Sequence, residues 1–313
     1  MVTRIAHFSD THVLSLKGVQ IRDLLNKRLT GAVNLALNRA KHYRVEVFEQ
    51  TLDAIIAAKP DHSICTGDLV NLALQPEFDK VGELLNTRFA STELTLVPGN
   101  HDYYTKEASL AGRFESAFAD YLPQEIDELK TSVHEGDDQR QAYPITRVLD
   151  EVAIIGLSTA IPTASFMATG ELGEDQLSRL KNGLDHPTFK ERFSLLMLHH
   201  PLFPEPKRRL DQTRRLADAQ ALIETLDQEQ GTAVDLVVHG HNHEFKRMAL
   251  PQSQTPVIQV ASASRTASAK HSAEFHIYVI EDGKLKAIER HIHHSDTGQF
   301  IPCDESGEPL SKS

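Results

Sequence analysis

Hydrophobic residues in this chain come in short runs that stop abruptly at polar groups. The clearest run, Leu94 to Val97, halts at Pro98-Gly99 and is followed at once by Asn100, His101 and Asp102. An apolar run closed by a Pro-Gly turn predicts a buried strand. Ile5 to Phe8 ends the same way in Ser9-Asp10-Thr11-His12, and Ser63 to Thr66 ends in Gly67-Asp68. Phe193 to Leu198 ends in His199-His200-Pro201, and Val234 to Val238 in His239-Gly240-His241-Asn242-His243. Between these runs the apolar period lengthens to that of helices. The pattern predicts helices over Val45 to Ala58, most of Leu69 to Phe89 with Pro76 near a start, and one or two pieces of Tyr103 to Val133. Further helices are predicted within Thr169 to Leu184 and from Ala217 to Asp227. Tyr143 to Leu149 and Val152 to Leu157 read as a hairpin, and Pro256 to Ala261, Phe275 to Glu281 and Leu285 to His293 read as strands. The result is an α/β domain over 1–298 with a helical insertion at 103–140, followed by a loose polar tail, 299–313.

Lys17 to Arg44 stands apart. It holds seven Lys/Arg and one acid, Asp23, in a chain of net charge −11. Ile21, Leu24, Leu25, Leu29, Val33, Ala36, Leu37 and Ala40 fall at helical spacing, and Gly31 divides the segment. The plain reading is a helical pair packed on the body with a solvated charged face. The sharper one is an element that meets an anionic membrane or a lipid substrate.

Composition narrows the classes. At 313 residues, 40% hydrophobic and 25% charged, the chain reads as a globular protein able to bury one large core. Its negative charge disfavours a nucleic-acid binder or nuclease, which needs a basic footprint. Two Cys, Cys65 in an apolar strand and Cys303 in the tail, imply no disulfide framework. No signal-peptide pattern precedes the first strand, and no apolar run nears the ~18 residues of a membrane span. The expectation is a cytoplasmic protein, with peripheral membrane contact through 17–44 as its one membrane feature.

Histidine is the outlier, with 17 copies and no Trp. A structural turn explains Asn or Asp beside Gly but has no need of imidazole. Asp10 and His12, two apart on extended chain, project to one side. Five strands ending in carboxylate, amide oxygen or imidazole suit borderline divalent metals such as Mn, Fe, Zn or Co. The supply exceeds the three ligands of a single catalytic zinc and fits two metals sharing a carboxylate. His200 and His239 adjoin these groups but are expected to point the other way, and His291, His293 and His294 to lie on the surface.

The ordered motifs D-x-H (10–12), GD (67–68), GNHD (99–102), HHP (199–201) and GHNH (240–243) together resemble the calcineurin-like metallophosphoesterase superfamily. The resemblance implies a four-layer α/β/β/α sandwich of two mixed sheets, with a dinuclear site at strand ends. It implies that Asp10, His12 and His243 hold one metal, that Asn100, His199 and His241 hold the other, and that Asp68 bridges. It implies a phosphoric ester hydrolase in which a metal-activated hydroxide attacks in line, with His101 toward the leaving group and Asp102 orienting His101. A phosphodiesterase or pyrophosphatase is expected, of cyclic-nucleotide type or, from the likeness of 27–44 to a basic-apolar insert of some relatives, acting on UDP-2,3-diacylglucosamine. The partner is then a nucleotide or a nucleotide-linked lipid. A metal-free scaffold subunit, the competing class, is disfavoured by the filled motif set.

Overall fold

The computed structural model describes residues 1–19, 28, 43–131, 137–204, 211–228, 231–268 and 271–310. The strands are β1 (Val2–Phe8), β2 (His62–Cys65), β3 (Leu94–Leu96), β4 (Ile145–Val148), β5 (Val152–Gly156), β6 (Phe193–Met197), β7 (Asp227–Gln228) and β8 (Gly231–Thr232). They continue as β9 (Leu236–His239), β10 (Lys246–Ala249), β11 (Pro256–Gln259), β12 (Glu274–Glu281), β13 (Lys284–His294) and β14 (Gln299–Cys303). The α-helices are α1 (Val45–Ala58), α2 (Gln75–Asn86), α3 (Lys106–Leu110), α4 (Arg113–Ala117), α5 (Glu174–Gly183), α6 (Pro187–Glu191) and α7 (Ala219–Leu226).

Two six-stranded mixed sheets form the body, in the orders β14-β13-β12-β1-β2-β3 and β10-β11-β9-β6-β5-β4. In the first, β1, β2 and β3 run parallel; in the second, β5, β6, β9 and β11 do. Antiparallel strands sit at the margins, where hairpins can reach them without a crossover. The strands alternate their side chains between two apolar layers, as a sheet covered on both faces requires. Ile5, Ile64, Val97, Ile154, Leu195, Met197, Val238 and Tyr278 meet between the sheets. Ala6, Phe8 and Cys65 instead face α1 and α2. On the far side, Ile155, Leu196 and Val237 pack under α5 and α7. This is the expected four-layer arrangement.

The helices follow from their apolar spacing. In α1 the buried residues Val47, Phe48, Thr51, Leu52 and Ile55 form one stripe, and the helix stops where Lys59 turns left-handed. α2 opens on Pro76, as expected, but starts later than the apolar pattern predicts, because Leu69–Leu74 is held as a loop. The Glu77 carboxylate accepts the amides of Leu72 and Leu74 and fixes that loop.

Three expectations need correction. Tyr103–Thr131 is not built of long helices: α3 and α4 have five residues each, with 3-10 turns at Ala119–Tyr121 and Asp127–Leu129. The residues after 298 are not a loose tail, since Gln299–Cys303 pairs with β13 as an edge strand. That strand shelters His291 and His293, which are buried rather than on the surface. His291 stacks on Phe275, and His293 Nε2 meets Gln50 Oε1 at 3.0 Å. Of the basic segment 17–44, residues 20–27 and 29–42 lie outside the described residues. Arg28 is described. It donates to the Leu72 and Ala73 carbonyls and to Thr105 Oγ1, and pairs with Glu107.

Candidate metal centre

Because the parallel strands of both sheets end on one side, the polar groups that follow them converge there. Asp10 follows β1, Asp68 follows β2, Asn100 follows β3, His199 follows β6, and His241 and His243 follow β9. Backbone bonds knit these ends together: Asp10 N donates to Gly67 O, and His12 N to Asp68 O, at 2.9 and 3.0 Å. Two glycines permit the close approach. A Cβ on Gly99 would lie 2.2 Å from Asp68 Oδ1, and one on Gly240 would lie 2.1 Å from Ser9 Oγ.

The backbone is strained at the donors themselves. Of ten non-glycine residues with positive φ among those described, five are Asp10, His12, Asp68, His241 and His243. Left-handed backbone costs an L-residue about 1–3 kcal/mol. Five such residues gathered in one cluster mark a place where side-chain aim has been set against stability.

The donor atoms lie at coordination spacing. Asp10 Oδ1 is 3.0 Å from His243 Nε2, which is 3.0 Å from His12 Nε2. Asp68 Oδ2 is 3.4 Å from His199 Nε2 and 3.9 Å from His12 Nε2, and His241 Nδ1 is 3.1 Å from His199 Nε2. Metal–ligand bonds of about 2.0–2.2 Å place neighbouring donors at such separations. Groups able to hold a cation are Asp10-His12-His243, Asp10-Asp68-His199, His12-Asp68-His101 and His199-His200-His241. Asp68 joins two of these across the two sheets, which is the position of a bridge. Asn100 Oδ1 is buried without a hydrogen bond, as a ligand of a cation would be. The residues therefore fit two divalent cations.

Protonation agrees with that reading. Burial opposes charge on Asp68, but His199, His101 and His12 outweigh it and hold the carboxyl well below the usual range. Burial likewise works against a charged His199, yet Asp68 and Asp10 push it up to about 9. Burial drives His200 and His241 well below 6.5, leaving neutral imidazoles ready to ligate. A proton on His199 is one that a bound cation would displace.

Supporting contacts aim these groups. His199 Nδ1 meets Thr66 O at 2.7 Å, and His243 Nδ1 meets Tyr43 OH at 2.8 Å, so each ligand ring is held at the nitrogen opposite its donor. His101 N donates to Asp68 Oδ1 at 2.7 Å, while its Nδ1 meets the Asn71 carbonyl at 2.6 Å. The expected partnership of Asp102 with the His101 ring gives way here. The Asp102 carboxylate accepts the amides of Leu69, Val70 and Gly99 and so ties two strand-end loops together. Burial and the charge of Asp68 push its carboxyl up to about 8. His200 is also turned differently from expectation. Its ring lies 4.6 Å from that of His241, with Nδ1 bonded to Thr159 Oγ1. His239, by contrast, stays apart, with Nδ1 against Gly240 O.

Tyr43, Asn71 and Thr66 escaped the sequence reading. Two of them act through backbone carbonyls, for which side-chain identity gives no signal. Tyr43 belongs to a segment that looks like an insertion. Arg214 donates to His241 O at 3.1 Å and brings positive charge to the edge of the centre.

The sequence profile of the calcineurin-like phosphoesterase family matches residues 3–245. No curated protein sequence matches the chain. Among solved structures, a dimetal phosphatase from Danio rerio is similar at 14% identity, covering 92% of this chain and 95% of that one, with a TM-score of 0.58. A purple acid phosphatase from yellow lupin seeds shares 13% identity with a TM-score of 0.55, and an NAD nucleotidase from Haemophilus influenzae 12% with 0.52. All of this chain aligns to those two, but it spans only 57% and 54% of their lengths. At such identities the likeness is one of fold.

Proposed function

The chain belongs to the calcineurin-like phosphoesterase family; from that premise we propose that it is a metal-dependent phosphoesterase and that it cleaves phosphodiester or pyrophosphate linkages. The observation that carries the site assignment is the placing of Asp68 Oδ2 between His199 of one sheet's ends and His12 of the other's. In this reading Asp10, His12 and His243 hold one cation, Asn100, His199 and His241 the second, and Asp68 bridges. Imidazole, carboxylate and amide oxygen favour Mn, Fe, Zn or Co. Two such cations supply an activated water near neutral pH and neutralise charge on the phosphoryl oxygens.

The remaining work falls to side chains of the chain itself. His101, fixed at Nδ1 by the Asn71 carbonyl, would pass a proton from Nε2 to the departing oxygen. Asp102 acts indirectly, by holding Leu69, Val70 and Gly99 so that Asp68 and His101 keep their places. Arg214 adds attraction for an anionic ester at the His241 side. Membrane contact through 17–44 belongs to the same proposal and rests on the basic and apolar pattern of that segment. Arg28 against the Leu72 and Ala73 carbonyls, and Tyr43 against His243, tie two points of the segment to the rim of the centre.

The experiment is a comparison of bis-p-nitrophenyl phosphate, p-nitrophenyl phosphate, cAMP and a UDP-linked diacyl sugar as substrates after loading with Mn²⁺. Hydrolysis of the diester above the monoester, lost on chelation and restored by Mn²⁺ better than by Ca²⁺, is the expected result. A metal-loaded protein that cleaves only the monoester would overturn the diester reading.

A further inference from the structure

A cavity of about 740 Å³ opens between the loop after β3 and the loop after β5, with Tyr104, Leu110, Ala160, Ile161 and Pro162 among its walls. It borders the metal centre through two contacts of its walls. The Tyr104 ring stacks on that of His101, 5.5 Å apart and inclined by 19°. Thr159, the residue before Ala160, bonds the His200 ring. Another cavity of about 610 Å³, lined by Glu151, Phe193 and Asp235, lies at the opposite ends of β5 and β6, away from the metal donors. Any organic group on a phosphate bound beside His101 has the Tyr104 cavity as its neighbour.

The charges around this cavity decide what it can take. Arg140 is paired with Asp138 and Glu171, and Glu107 with Arg28 and Arg113. Counting lining groups alone, three acids (Glu107, Asp138, Glu171) face two bases (Lys106, Arg140). A second phosphate or other anion would gain no attraction there. Apolar groups, in contrast, continue outward from the walls. Leu110 is 39% exposed, and the loop that carries Ile161 presents Phe166 at 83% and Met167 at 36%. Phe166 has a left-handed backbone, with φ at 66°. Large apolar side chains exposed on Leu110 of one wall and on the loop of the other are the kind of surface that a ligand covers.

We propose that this cavity holds an uncharged, largely apolar organic group of the phosphate ester, so that the substrates are amphiphilic, with the phosphate at the metals and a hydrophobic body against Tyr104, Leu110 and Ile161. The proposal rests on the phosphoesterase reading for the location of the phosphate. The cavity volume matches that class of ligand, since pockets of about 300–1,000 Å³ enclose drug-sized molecules.

The test is binding of two non-hydrolysable probes to the Mn²⁺-loaded protein by calorimetry, phenylphosphonate and 4-octylphenylphosphonate, below the micellar concentration of the latter. The octyl probe is expected to bind about tenfold more tightly or better, as burial of several methylenes would give. Ile161→Asp and Leu110→Asp should each remove most of that preference, and Ile161→Leu should restore it. Equal affinity for the two probes would overturn the proposal, as would a preference that survives both Asp substitutions in folded, metal-loaded protein. A preference that vanishes in those variants, in a protein that turns over no diester, would uphold the cavity and overturn the diester reading instead.

Discussion

Two sets of buried histidines in this molecule are chemically alike and structurally opposite. His7 and His62 lie within β1 and β2, fully enclosed, and every ring nitrogen has a partner. His7 meets Tyr278 OH and Thr66 Oγ1 at 2.7 and 2.9 Å, and His62 meets Thr92 O and Thr95 Oγ1 at 3.1 and 2.9 Å. At the strand ends, His241 Nε2, His200 Nε2 and Asn100 Oδ1 are equally buried yet make no hydrogen bond. A buried polar atom left unpaired costs about 1–3 kcal/mol. The first set therefore supports the fold, whereas the second brings donor atoms of different strands to within 3.1–3.4 Å of one another, where a cation would satisfy them. Burial alone does not distinguish ligand from scaffold; convergence of the donors does.

Substitutions at the two sets should separate cleanly. The largest effect is expected at Asp68, the carboxylate shared between groups. Asp68→Asn should lose bound metal and turnover together, by orders of magnitude, and elemental analysis beside kinetics will show whether the two fall in step. Retention of two cations at near-normal kcat would break the bridging assignment. His101→Ala should keep its metal while kcat falls by about 10²–10⁴, the worth of positioned acid catalysis. That loss should be smaller for p-nitrophenyl esters, whose leaving group needs little help from a proton. Equal losses across leaving groups would remove His101 from the acid's role.

Tyr43→Phe probes the boundary between the sets, since Tyr43 is not a ligand but touches one. Removing the hydroxyl at His243 Nδ1 should weaken one metal site by about 10–100-fold, readable in a metal titration, and leave the other nearly intact.

His62→Ala should do the reverse of all three: metal content and kcat stay, and stability drops by about 1–3 kcal/mol as two hydrogen bonds are lost. Burial lowers the pKa of His62 to about 3, below its unfolded value near 6.5. Its neutral form thus contributes stability that is complete above pH 6.5 and is lost as pH falls from there toward 3. The difference in denaturation midpoint between native protein and His62→Ala should shrink over that interval, and a constant difference would contradict it.

The legible part of the site was the part written in strand ends. Apolar runs closed by Gly-Asp, Gly-Asn-His-Asp or Gly-His-Asn-His displayed Asp10, His12, Asp68, Asn100, His199, His241 and His243 before any coordinates, because strand termination and donor chemistry are both local properties of sequence. The side to which His200 turns was misread, because residues at a strand end need not keep the alternation of the strand. There the His200 ring lies against His241 while its Nδ1 bonds Thr159 Oγ1. His291 and His293 were misread for another reason: their cover is β14, a polar strand with no strong apolar pattern of its own.

Sequence by itself thus determined most strands and helices, the donor types and the chemistry they suit, since periodicity, turn residues and ligand preference act within a few residues; the layering came only as what the family resemblance implies. Tertiary structure decided the rest. Asp10 and His243 are separated by 233 residues of chain and meet at 3.0 Å only because two sheets align their parallel strands toward one edge. The task of Asp102 was likewise settled by packing. In sequence it adjoins His101, but in the folded chain three backbone amides reach its carboxylate, and a buried amide left without an acceptor is too costly for the fold to leave unanswered.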